Sequence, residues 1–139
     1  MGQPYYESND WANKSPLKSV YGNERKKTVT IYASTVTTDS KSRRRLSPGT
    51  FLVKIDSGTG ADKYGPYLKT ATDGRQTPVE GEVVFNWEAN DVTLGDRVAA
   101  GLYAQCVFDK SELTMGGYSL HGTSLTNLKA MFPSCVFDD

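Results

Sequence analysis

The amino-acid sequence predicts a mainly β protein with a small antiparallel body, one short helix near the C-terminus and an extended N-terminal arm. Three observations lead there. Short runs of alternating apolar and polar residues recur between Gly- and Pro-containing turns. Only one segment, close to the C-terminus, spaces its apolar residues at helical intervals. The first 23 residues are polar and carry neither period.

The leader, residues 1–23, holds Tyr5, Tyr6, Trp11 and Tyr21. It is expected to be disordered when free; an ordinary floppy terminus is the commoner case for such a segment, and against it stands the aromatic content, since chains that stay disordered contain few aromatic residues and aromatic anchors suggest ordering on a partner. Thr28 to Ser34 alternates, with Val29, Ile31 and Ala33 on one side and Thr30 and Tyr32 on the other, as a half-buried strand does. The polar stretch from Asp39 to Arg45 then links this strand to the body. Ser47-Pro48-Gly49-Thr50 is a turn, after which Phe51, Val53 and Ile55 share a strand face. Asp56 to Gly65 is a loop between hairpin arms.

A compact turn at Thr72-Asp73-Gly74-Arg75-Gln76-Thr77-Pro78 separates Pro66-Tyr67-Leu68-Lys69 from the next alternating run. Its Asp-Gly pair combines a residue tolerant of positive φ with one that has no Cβ. Glu82 to Trp87 puts Val83, Phe85 and Trp87 on one side, with Val84 interrupting the polar face. Arg97 to Phe108 is the strongest strand signal. Val98, Ala100, Leu102, Ala104, Cys106 and Phe108 all point one way, so it is expected at the centre, with Gly101 allowing a bulge or a close backbone approach. Asp109 to Thr123 is irregular. The helix is expected over Ser124 to Phe132, capped by Ser124, striped by Leu125, Leu128 and Phe132, and ended by Pro133. Cys135-Val136-Phe137 adds a final strand. The body as a whole is expected to be β-clip-like.

With 139 residues, of which 37% are hydrophobic, the chain has room for one modest core. The expected division is an arm over 1–46 and a β-rich body over 47–139. No run of about 18 apolar residues offers a membrane span, and the start lacks the basic and apolar regions of a signal peptide, so a soluble, unprocessed chain with no membrane partner is expected. Tyr6 stands where N-acylation at Gly2 would ask for Ser or Thr. The formal charge is zero, but residues 1–46 hold nine Lys/Arg against four Asp/Glu and the remainder seven against twelve. A basic arm of this kind suits an acidic partner. Arg43-Arg44-Arg45 has no aromatic platform beside it and reads as a solvated triplet, with no nucleic acid implied.

Chemistry is sparsely represented. Gly58-Thr59-Gly60 lacks the Lys-Ser/Thr and the helix start that a phosphate cradle uses, and His121 has no Cys or carboxylate at ligand spacing. No cofactor or metal is therefore expected. Cys106 and Cys135 are too few for a disulfide framework and read as free thiols. Asp73, Asp91, Asp96 and Glu112 are the carboxylates open to an acid/base role, although turn carboxylates usually bond the local backbone.

Ser47-Pro48-Gly49-Thr50, Thr72-Asp73-Gly74-Arg75-Gln76-Thr77 ahead of a strand, Gly101, and Leu128-Lys129-Ala130 occur here in an order and spacing that resembles the lambda-type bacteriophage head decoration proteins. The similarity covers about residues 28–139 and is clearest from Ser47 to Phe108. Many members carry Ala where Pro48 stands, and Val79-Glu80-Gly81-Glu82 is more polar than usual for the family. The resemblance implies a non-enzymatic homotrimer on the outer surface of the expanded head, assembled in the host cytoplasm. Its arm orders on the major capsid protein and adds a strand there. For this chain that expectation falls on Thr28, Val29, Thr30, Ile31 and Tyr32 as the augmenting strand and on Tyr5, Tyr6, Trp11 and Tyr21 as anchors, with Asp73, Gly74 and Arg75 as the body turn. Two alternatives stay open: a sugar-binding virion surface module that uses the tyrosines, and a small hydrolase that uses Asp73 or Asp96.

Overall fold

The computed structural model describes residues 11–20 and 22–138. The chain is mainly β, with a small barrel body and a single short helix near the C-terminus. Ten strands run in the order β1 (Leu17–Ser19), β2 (Arg25–Ile31), β3 (Arg45–Leu46), β4 (Phe51–Lys54), β5 (Tyr64–Pro66), β6 (Val83–Asn86), β7 (Asn90–Asp91), β8 (Arg97–Ala104), β9 (Val107–Asp109) and β10 (Val136–Asp138), with helix α1 (Gly122–Met131) before the last. Five of them close a barrel in the order β2-β5-β4-β6-β8. Its pairs are antiparallel except β2 with β5, which meet in parallel at Ile31 and Tyr64. A three-stranded sheet, β1-β9-β10, and the two-stranded β3-β7 complete the fold.

The strand expected to lie detached for use on a partner is instead a stave of this barrel. β2 pairs with β8 from Arg25 opposite Ala104 to Ile31 opposite Arg97, and Val29 and Ile31 are 4% and 0% exposed. The apolar alternation that suggested a half-buried strand was correct, but its buried face is covered by this chain's own Leu52, Tyr64, Val84 and Ala99. Once β8 offers a free edge seven residues long, intramolecular pairing needs no second molecule. The division at residue 46 fails for the same reason. β1, β2 and β3 lie before it, and each pairs with a strand after it: β9, β8 and β7. Residues 1–10, the outer part of the expected arm, lie outside the described residues.

Two cores form because the central strands are buried on both faces. Val83, Val84, Phe85 and Asn86 are all buried, and so are Phe51, Leu52 and Val53. One face of β4 and β6 sends Phe51, Val53, Val83 and Phe85 into a core with Leu102, α1 and the three-stranded sheet. The other sends Leu52 and Val84 to Val29, Ile31, Val36, Leu46, Val92 and Ala99. Val84, which looked like an interruption of a polar face, marks this second core. All five phenylalanines meet in the first, with ring centroids of Phe85–Phe108 at 4.6 Å, Phe85–Phe132 at 5.1 Å, Phe108–Phe137 at 5.2 Å and Phe51–Phe85 at 5.3 Å. Offset and tilted rings at such separations add to simple burial.

The long strand from Arg97 to Phe108 is central as expected, bonded to β2 on one side and β6 on the other. It breaks after Ala104, where Gln105 takes a φ of 57°, and β9 continues in the smaller sheet. The uniform apolar face does not hold at its start, where Val98 is exposed and Ala99 buried. Gly101 is needed for close approach: a Cβ there would lie 2.6 Å from the Val84 Cβ. The helix begins two residues earlier than the capping signal suggested, after His121, with no side-chain cap, so Ser124 lies inside it. Leu128, Met131 and Phe132 are its buried stripe.

Candidate interaction surface

Asp73, Gly74 and Arg75 form a clasp within the long connection from β5 to β6. Those two strands do not pair with each other; both flank β4. Gly74 has a φ of 110°, and a Cβ there would fall 2.7 Å from the Asp56 carboxyl carbon. The Asp73 carbonyl accepts from the Asp56 amide at 2.8 Å, and Arg75 Nε reaches the Asp73 carboxylate at 3.1 Å while its guanidinium also donates to the Pro66 carbonyl at 3.2 Å. Every strong group of the turn is therefore used to hold the β4–β5 hairpin loop and β5 in place. The turn positions other elements and presents no free chemistry.

The upstream turn works the same way. Gly49 has a φ of 84°, and its Cβ position lies 2.8 Å from the Glu112 carbonyl oxygen. Thr50 closes the turn onto the Ser47 carbonyl through both its amide and its hydroxyl. Behind it, fully buried Asn86 donates to the Ser47 carbonyl at 3.0 Å and the Glu88 carbonyl at 2.6 Å and accepts from Asn90 Nδ2 at 3.0 Å.

The residues expected to bind a partner do not share one setting. Tyr5, Tyr6 and Tyr21 lie outside the described residues. Val29 and Ile31 are core, while Thr28 is exposed and Thr30 half-buried on the other face of β2. Tyr32 lies across Gly60, shares a 2.8 Å hydrogen bond with Thr59 and sits under the Lys63 ammonium at 5.0 Å. That hydrogen bond, followed by one from Ser34, draws its phenol below the usual tyrosine range. Trp11 is the one expected anchor whose place is seen: its ring is stacked by the Arg45 guanidinium at 4.7 Å. The basic triplet is thus no linker. Arg45 belongs to β3 and faces Asp91 at 3.7 Å, Arg43 pairs with Asp39 at 3.0 Å, and the Arg44 amide donates to Thr93.

The exposed face that the sequence did not announce is the loop from β7 to β8. Leu94 is fully exposed at its tip and Val98 is 67% exposed at its exit, beside an open cleft of about 490 Å³ lined by Arg43, Asp91, Thr93, Asp96 and Arg97. The loop is built firmly. Asp91 accepts from the Thr93 amide and hydroxyl, the Val92 amide donates to the Arg44 carbonyl, and Asp96 accepts from the Ala33 amide at 2.8 Å and from Lys63. These bonds hold both carboxylates below the ordinary range, Thr93 being the main cause for Asp91 and Lys63 for Asp96. A lone Leu between Thr93 and Gly95 has no periodic neighbours, so only its position at the loop tip reveals it.

Among the described residues no cluster of three or more His, Cys, Asp and Glu is placed to hold a metal ion, and no helix is long and apolar enough to cross a membrane. No protein-family model, curated protein or solved structure matches the chain.

Proposed function

We propose that the chain is a tailed-phage head decoration protein. It sits as a trimer on the outer surface of the expanded capsid and holds neighbouring major capsid protein subunits together. One observation carries this reading: three glycines behind the resemblance, Gly49, Gly74 and Gly101, stand where this fold admits no side chain. Gly49 and Gly74 occupy left-handed backbone against neighbouring atoms, and Gly101 leaves no room for a side chain beside Val84. Positions with such steric demands carry more weight in a resemblance than the exposed Thr72, Thr77, Lys129 and Ala130, and it is these glycines that support a shared body.

The way the body attaches changes with the fold. Since β2 is used within the barrel, the tether is the segment ahead of Leu17, which contains Tyr5, Tyr6 and Trp11. An extended segment binds by adding a strand to an exposed sheet edge and by seating aromatic side chains in pockets. The firm loop carrying Leu94 and Val98 supplies a second contact of the body with its surroundings. Each attachment is weak alone, and several per trimer act with high effective concentration on a regular lattice. The physical task is mechanical: bridging subunits raises the force that packed DNA must exert to part them.

The two alternatives have less support. Among the described residues Tyr64 is buried, and Tyr67 and Tyr118 are partly buried and pack edge to face at 5.2 Å beside the phenylalanine core, so these three are engaged in packing, while Tyr5, Tyr6 and Tyr21 lie outside the described residues. Asp73 is bound to Arg75 and Asp96 to Lys63 and the Ala33 amide, so the two carboxylates a hydrolase would use are engaged in holding the fold. The test is co-sedimentation of the purified chain with empty expanded heads and with unexpanded proheads of the encoding phage. Saturable binding to expanded heads alone is expected; equal binding to both, or to neither, contradicts the proposal.

A further inference from the structure

The two cysteines, 29 positions apart in the sequence, are brought side by side by the last strand. β10 runs parallel to β9 with Val136 opposite Val107, which puts Cys135 opposite Cys106 one step before the pairing starts. The Val136 amide donates to the Cys106 carbonyl at 2.8 Å, and the Gln105 amide donates to the Ser134 hydroxyl at 2.9 Å, so the two segments are fixed on both sides of the thiols. Neighbouring strands lie about 4.7–4.9 Å apart. That spacing falls within the Cα separation of about 4.4–6.8 Å that a disulfide spans. Both thiols are free.

Their surroundings differ. Cys106 is 1% exposed, under the phenylalanine core, while Cys135 is half-buried. The contact between the thiols, followed by burial, pushes Cys106 up. The same contact, with backbone amides and the Ser134 hydroxyl adding to it, brings Cys135 down to about 7. A reagent reaches the half-buried Cys135 and not the enclosed Cys106, so Cys135 is the thiol that reacts as thiolate and Cys106 the one held in reserve. Beside this corner opens a cavity of about 240 Å³, lined by Lys27, Tyr103, Ala104, Pro133 and Ser134. Its charged groups are Lys27, which donates to the Gly81 carbonyl at 2.9 Å, and Glu80, so the opening gives a small-molecule disulfide room without a preference for charge.

We propose that Cys135 and Cys106 are a redox-responsive pair: Cys135 captures a small-molecule disulfide, and Cys106 resolves the adduct into an intramolecular bridge. In the first step the Cys135 thiolate attacks one sulfur of oxidised glutathione, the S–S bond breaks, and one glutathione leaves as thiolate. In the second, Cys106 gives its proton to the departing glutathione and attacks the Cys135 sulfur, releasing it as thiol. Counted from the dithiol, whose Cys135 proton passes through solvent to the first glutathione thiolate, the protein loses two electrons and two protons, and one glutathione disulfide becomes two glutathiones. The product closes the segment from Cys106 to Cys135, which carries α1, and ties β10 covalently to β9. A closed loop of this kind restricts the unfolded chain, so the bridge acts as a lock on the C-terminal part of the fold.

The experiment treats the reduced full-length protein with oxidised glutathione, quenches it with acid and maps tryptic peptides by mass. The expected wild-type product has lost two hydrogens, carries no glutathione, and links peptides 98–110 and 130–139. Cys106→Ser is expected to stop at a glutathione adduct on Cys135, and Cys135→Ser to leave Cys106 unreacted. A wild-type protein that stays reduced, or that keeps glutathione as its final product, overturns the proposal, as does rapid glutathionylation of Cys106 in Cys135→Ser. Should Cys106→Ser fail to fold, the wild-type peptide map alone decides between these results.

Discussion

Removing residues 1–34 separates a detached arm from a barrel stave. If that segment were an appendage, its loss would leave a folded body. In this fold it takes away β1 and β2, and with them Leu17, Val29 and Ile31, which are 5%, 4% and 0% exposed. Burial of each such side chain contributes roughly 1.5–3 kcal/mol, so the three together account for about 5–9 kcal/mol. That equals much of the stability of a typical domain, about 5–15 kcal/mol. The deletion also opens the barrel, because β2 is the strand that joins β8 to β5. Removing only residues 1–15 keeps Pro16, whose carbonyl accepts from the Asp109 amide, and loses the Trp11–Arg45 stacking and the exposed Lys14–Thr114 hydrogen bond. A cation–π contact is worth about 0.5–1 kcal/mol when exposed and about 2 kcal/mol when desolvated, and this half-buried pair falls between the two. Thermal unfolding followed by circular dichroism reads both deletions. The shorter one is expected to melt cooperatively within about 5 °C of the intact chain. The longer one is expected to show no cooperative transition. A cooperative melt of the 35–139 fragment near the intact value would refute the place given to β2.

Three further outcomes follow from single residues. Gly101→Ala drives a Cβ into Val84 and should cost about 1–3 kcal/mol in urea unfolding, with Val84→Ala restoring part of the loss in the double variant; independent, additive effects would contradict the close approach. Asn86→Asp turns a carboxylate towards the Ser47 and Glu88 carbonyls and should cost about 3 kcal/mol at neutral pH. Its folded pKa is raised, so the loss should shrink as pH falls and the acid regains a donor; a pH-independent loss would argue against that geometry. Asp96 titrates the opposite way. Its folded pKa is lowered by Lys63 and the Ala33 amide, so its contribution is present above the unfolded value of about 3.9 and is lost as pH falls through the folded value. The stability gap between the intact chain and Asp96→Asn should therefore be constant near neutrality and close below about pH 4; a gap that persists there would contradict the pairing.

Period and turn chemistry made most of the local structure legible. Gly49 and Gly74 stand in the turns their neighbours announced, Gly101 marks a tight contact, and Leu128 and Phe132 mark the helical stripe. What local pattern could not give was pairing across long separations. Thr28 to Ser34 reads the same whether its edge is satisfied by β8, some 70 residues on, or by another molecule, because the alternation records burial and says nothing of what does the burying. Val84 was ambiguous for a related reason: a strand packed on both faces loses its alternation. The exposed loop at Leu94 and the facing cysteines depend wholly on tertiary placement, and only the assembled sheets bring them into view.

The function proposed here depends on a body that folds unaided and a leader that does the attaching. The most direct measurement is a binding isotherm, on empty expanded heads, of the intact chain beside the chain lacking residues 1–15. The intact protein should saturate the shells, and the shortened one should keep its fold and lose at least most of that binding. Equal isotherms for the two would contradict the account.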